Sequence, residues 1–202
     1  APPVNGGSLS LSTSVGVSNS QNDVTVAISA PQTGEITGTV TLALSSNGNP
    51  PVDDPAVQLI GGGRTASFRI AAGQTSATFG GASSVRFQTG TTAATLVFTA
   101  AFARDGVDAT PNPAPRATLT IPVTPPTLTD LNVTRSATNL TVVVRGFATE
   151  RSITTATLEF ARRAGTPGNN PERFDVNVAQ VFQQWFASAA SQPFGSQFRL
   201  TI

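Results

Sequence analysis

The eleven acidic side chains are the groups in this chain best able to shuttle protons or hold a metal, because it has no His and no Cys. Serines are plentiful, but without a His or Lys none has a partner to activate it as a nucleophile. Acid–base chemistry would rest on paired carboxylates, either Asp53-Asp54 or Glu150 with Glu159. Glycoside hydrolysis needs two such groups at a defined separation. Neighbours on a strand point to opposite faces, so Asp53 and Asp54 make a poor pair; in a turn they would cap backbone donors. Calcium is the better chemical alternative, since it takes oxygen ligands from loop carboxylates and carbonyls. Asp53, Asp54, Asp105 and Asp108 all fall in expected loops, yet Asp105-Gly106-Val107-Asp108 matches no complete calcium loop. Solvated turn carboxylates are the plainer reading. No catalytic residue and no cofactor is expected.

Another pattern points to assembly rather than chemistry. Near the start, Leu9, Leu11, Val15 and Val17 form an expected amphipathic strand within residues 8–18. At the end, Phe198, Leu200 and Ile202 alternate with polar residues. The stretch from Thr127 onward holds about five strand candidates, whereas antiparallel sandwiches of this kind use about seven. A strand to give and a groove to fill would let copies join head to tail. The simpler alternative is that the missing strands lie beyond Ile202.

Composition narrows the setting. All twelve basic residues are Arg, and the formal charge is +1. The pI of 9.3 therefore reflects the absence of groups titrating at mid pH, not a basic surface. Scattered arginines do not make the concentrated patch that nucleic acid requires. No apolar run approaches the roughly 18 residues of a membrane span. Few charges and many Thr, Ser, Asn and Gly suit an extracellular β-protein. Ala1-Pro2-Pro3 suits a mature start after removal of a signal peptide.

The elements that must position these residues are strands. Period-2 alternation recurs at Val24/Val26/Ile28, Val40/Leu42/Leu44, Ala66/Phe68/Ile70, Ala77/Phe79, Val85/Phe87, Leu96/Phe98/Ala100/Phe102 and Leu119/Ile121. Turn clusters such as Asn47-Gly48-Asn49-Pro50-Pro51 and Gly61-Gly62-Gly63 separate them. Pro122-Val123-Thr124-Pro125-Pro126 reads as a stiff linker. Alternation then resumes at Leu131/Val133, Leu140/Val142/Val144, Ala156/Leu158/Phe160 and Phe174/Val176, with a polar loop expected over 165–171. Val178, Val181, Phe182, Trp185 and Phe186 instead follow helical spacing, predicting a helix over about 178–190. Asn177 would cap it, with Gln180 reciprocating, and Pro193 would stop it.

The second half resembles Ig-like modules of large secreted and surface proteins of bacteria. The matching residues are Thr134–Thr138, Thr141–Gly146, Arg151-Ser152-Ile153-Thr154, Phe186–Ala190 and Gly195-Ser196-Gln197-Phe198. The first half is similar to the module that commonly precedes it, through Asp54-Pro55-Ala56-Val57-Gln58, Gly63 to Phe68, Ala72–Thr75 and Gln88-Thr89-Gly90-Thr91. The resemblance implies an all-β chain of two Ig-like antiparallel β-sandwich domains in tandem, residues 1–122 and 127–202, the second with one short α-helix and an incomplete sheet. It implies no catalytic residues. The expected role is a non-enzymatic extracellular structural protein, a pilus-like surface filament subunit or adhesin module. The alternative is a spacer, or a carbohydrate- or calcium-binding module, cut from a larger secreted protein. Lacking Lys, the chain cannot form the Lys–Asn or Lys–Asp isopeptide bonds that lock some bacterial surface sandwiches.

Overall fold

A computed structural model describes residues 2–161 and 172–202, and shows a mostly β chain built from several antiparallel sheets. The polar loop expected over 165–171 lies outside the described residues. Up to the proline connector the strands are β1 (Ser8–Leu11), β2 (Gln21–Ala27), β3 (Ile36–Ser46), β4 (Val57–Leu59), β5 (Thr65–Ile70), β6 (Val85–Thr89), β7 (Ala94–Arg104), β8 (Val107–Asp108) and β9 (Arg116–Ile121). One sheet runs β1-β2-β6-β4. The other runs β5-β3-β7, with β8 and β9 both pairing with β7.

Alternation explains the packing. Each strand offers one apolar face, and the two sheets share a single core. Val24, Val26 and Phe87 come from the first sheet, and Val40, Leu42, Leu96 and Phe98 from the second. Phe87 and Phe98 meet across the sheets with ring centroids 4.7 Å apart. The spine is β3 on β7, paired without a break from Ile36↔Arg104 to Ser46↔Ala94.

The expected strand over residues 8–18 is corrected. Only Ser8–Leu11 is strand, and Val15 and Val17 are exposed. The Thr13 hydroxyl bonds both the carbonyl and the amide of Val15, and this local turn competes with a sheet ladder. Ala77 and Phe79 likewise form no strand. Their segment makes one bridge to each sheet, at Ala27↔Ser76 and Arg69↔Thr78. Strand β4 was not anticipated, because three residues are too few to show a period.

After the connector come β10 (Thr127–Arg135), β11 (Leu140–Phe147), β12 (Thr155–Phe160), β13 (Glu172–Asn177), α1 (Ala179–Ala187), a 3-10 turn (Ala189–Phe194) and β14 (Gln197–Thr201). They make a three-stranded sheet, β10-β11-β14, and a separate hairpin, β12-β13. A small core of Ala148, Val178, Phe182, Phe186 and Phe198 lies under the helix. Phe198 meets Phe182 edge-on at 5.1 Å.

Four expectations for the helix change. It spans 179–187, and Pro193 sits inside the following 3-10 turn rather than ending the helix. Asn177 Oδ1 accepts from the Ala179 amide at 3.0 Å, but no return bond from Gln180 forms among the described residues. Val181, expected on the apolar stripe, is exposed. The alternation of β10 also fails to bury a face, since all nine of its residues are exposed. Among the described residues no helix is long and apolar enough to cross a membrane.

Candidate functional site

The four calcium candidates do not converge. Asp53 is exposed and pairs with Arg64 at 2.5 Å. Asp105 lies in the turn before β8 and Asp108 within β8, where it accepts the Thr110 amide at 2.9 Å. That backbone bond, with help from the Thr110 hydroxyl, holds the Asp108 carboxyl below the usual aspartate range. Among the described residues no group of three or more His, Cys, Asp or Glu could hold a metal ion. Glu150 follows β11 and Glu159 lies on β12, paired in register with Arg173.

Asp54 caps backbone donors, as expected of a turn carboxylate, but it does so buried and across a long range of sequence. It is 1% exposed. Its Oδ2 accepts from the Thr91 amide at 2.8 Å and hydroxyl at 3.1 Å, and from the Thr92 amide at 3.2 Å and hydroxyl at 3.1 Å. Its Oδ1 accepts from the Ala56 amide at 3.0 Å. Five N–H and O–H donors occupy the oxygens that a cation would need. The carboxylate is a structural hub, and donors to its charged form make it a strong one.

Two glycines admit it. A Cβ on Gly90 (φ 71) would stand 2.7 Å from Asp54 Oδ2, and one on Gly195 (φ 59) would stand 2.5 Å from the same atom. Gly195 belongs to the far side of the connector, so the hub joins the two regions. Thr92 Oγ1 and Ser196 Oγ are 2.8 Å apart, and the Ser196 amide donates to Thr91 Oγ1 at 3.0 Å. Backbone bonds Ala93 N–H to Thr149 O at 2.9 Å and Asn49 N–H to Glu150 O at 2.9 Å extend the seam. The Thr124 amide, in the connector, donates to Thr149 Oγ1 at 2.8 Å.

Arg151 completes the junction. It is 2% exposed and its backbone has φ 63, which non-glycine residues rarely adopt. Its guanidinium donates to the carbonyls of Gly195 and Phe186 and to Ser191 Oγ, and lies over the Phe186 ring at 4.9 Å. Burial pushes its pKa down while the Asp54 carboxylate pushes it up. Arginine stays charged under such opposition. Parts of four of the segments quoted for the resemblance, Asp54, Gly90-Thr91, Arg151 and Gly195-Ser196, meet here. Their types were legible; their convergence was not.

Of the proposed assembly residues, Leu9 and Leu11 pack half-buried on the first core, and β1 pairs in cis with β2 from Ser8↔Ala27 to Leu11↔Val24. At the other end, Phe198, Leu200 and Ile202 come together. With Leu128, Val144 and Leu158 they line an apolar cleft of about 280 Å³ between the three-stranded sheet and the β12-β13 hairpin. The outer edge of β14 has no strand partner among the described residues. No family model matches this chain, and comparison with curated proteins gives no match either.

Proposed function

We propose that this chain is an extracellular, non-enzymatic structural module, two Ig-like β-sandwich domains in tandem that assemble head to tail as a surface filament or adhesin. The apolar cleft beside β14 carries the reading. An open cleft between two sheets leaves apolar surface and a row of unpaired backbone groups in water, which is costly unless a strand fills it. A strand from a second copy would supply both main-chain bonds and apolar side chains. The donor is the segment 8–18, led by Leu9 and Leu11. β1 is four residues long, lies at the edge of its sheet and pairs with β2 on one side. Few bonds therefore oppose its release. The buried Asp54–Arg151 junction supports a mechanical role, because it keeps the two regions from swinging about the connector.

The test is electron microscopy of the intact chain, of a version lacking residues 1–18, and of Leu158→Arg, which puts a charge in the cleft. Filaments from the intact chain alone support strand donation. Monomers from all three sink it and leave a spacer module. Filaments from the shortened version overturn segment 8–18 as donor.

A further inference from the structure

The face of the three-stranded sheet turned away from the cleft carries an unbalanced row of charge. Register places Asp130 opposite Arg145, and Arg145 opposite Arg199. Directly opposed residues share a face with Cβ atoms about 5 Å apart, and like charges so placed repel. Asp130 accepts from Arg145 at 3.4 Å. Arg199 has no carboxylate partner among the described residues, so two guanidiniums share one acid.

Beside this row the helix and the 3-10 turn set an aromatic pair. Trp185 and Phe194 have ring centroids 6.2 Å apart and an interplanar angle of 33°. Trp185 Nε1 donates to the Gln197 carbonyl at 3.1 Å, which fixes the indole against β14 and uses its only donor. What the indole still offers is its face. Phe194 is 50% exposed although its neighbour Gly195 is buried in the junction. The two rings, Arg145, Arg199, Gln197 and Phe198 line a depression of about 240 Å³. That is below the range of pockets for drug-sized ligands, and suits one small unit of a longer ligand.

We propose that this depression binds a carboxylate-bearing sugar unit of an acidic polysaccharide. The ring's C–H face covers Trp185 and Phe194, and its carboxylate sits between Arg145 and Arg199. Aromatic faces bury apolar C–H surface, and guanidinium forks match carboxylates in two-point geometry. A uronate presents both features within one rigid ring. An acidic peptide side chain has the carboxylate but no flat apolar face. The bound anion relieves the Arg145–Arg199 repulsion, so the site is destabilised without ligand and stabilised with it. Arg145 and Arg199 point away from Val144 and Leu200 in the cleft, because neighbours on a strand face opposite ways, while Phe198 borders both. Changes at Arg145 and Arg199 therefore test sugar binding without altering a side chain that lines the cleft.

The chain has one Trp and no Tyr, so intrinsic fluorescence reports Trp185 alone. The probes are tetragalacturonate, its methyl ester and a glutamate tetrapeptide, with calorimetric titration alongside. Tetragalacturonate should change the emission saturably, and the other two should not. Arg199→Gln should weaken binding about 10- to 100-fold, the effect of losing a charge-assisted bond. The same change should leave the melting temperature equal or higher, since it removes a like-charge pair. Arg145→Gln provides a second charge variant, and Phe194→Ala should also weaken binding. Equal binding of the ester, equal or tighter binding of the peptide, unchanged affinity in the arginine variants, or no response to any probe overturns the proposal.

Discussion

Residues before the Pro122–Pro126 connector put most of their apolar side chains into one continuous core, while those after it leave many in water. Leu96, Phe98 and Leu119 are fully buried on β7 and β9. Leu128, Leu131 and Val133 on β10 are each more than half exposed, as Leu128 at 61% shows. Both regions use the same alternation. The difference is whether a second sheet covers the apolar face. In the first region it does, and burial supplies stability. In the second the hairpin covers part of the sheet, and the junction supplies what the small core does not. Arg151 ties the end of α1 and the turn before β14 to the hub at Asp54.

The sharpest way to break this contrast is at the hub. Asp54→Ala strands four donors on Thr91 and Thr92 and leaves Arg151 without its opposing charge. The expected loss is about 3–5 kcal/mol, the scale for removing one side of a buried charged network. Trp185 lies beyond the connector, so its fluorescence during thermal unfolding reads whether the damage crosses. We expect its transition to fall with that of the backbone signal. An unmoved Trp185 transition would mean that the regions unfold independently.

Core substitutions come next. Leu96→Ala should cost about 2–5 kcal/mol, as for a buried leucine losing its contacts. Leu131→Ala should stay within about 0.5 kcal/mol, as surface changes do. Denaturant titration of both gives the ratio. A comparable loss at Leu131 would show that β10 is covered in solution, and would favour an assembled state.

The smallest effect concerns the hairpin. The Thr157 hydroxyl, at 2.7 Å, and then Arg173 hold the Asp175 carboxyl below the usual value. A carboxyl lowered on folding adds stability above the ordinary aspartate range, and that contribution fades as pH falls below about 4. Thr157→Val should move the Asp175 titration upward by NMR. An unchanged titration would show that the bond does not form in solution.

Much of the fold could be read from the chain. Strands at Val24–Val26, Val40–Leu44, Leu96–Phe102 and Leu119–Ile121 appear where alternation put them, and the connector separates β9 from β10. Alternation is a local property, set by side-chain period, and it survives into the structure wherever the partner sheet is present. The site was less legible. Asp54 looked like a turn carboxylate, and it takes the Ala56 amide two residues on, but its other donors are 37 and 38 residues away, at Thr91 and Thr92. Arg151 looked like one more scattered arginine.

Residue types and their period by themselves determined that this is a β-protein without thiol or imidazole chemistry, with a proline break near its middle. The tertiary structure decided which apolar faces are covered, since burial depends on a second surface that no local pattern specifies. It also decided that Asp54, Gly195 and Arg151 form one junction, and that Arg145 and Arg199 stand side by side. The first depends on distant loops meeting and the second on register between distant strands, and long-range packing rather than sequence spacing sets both.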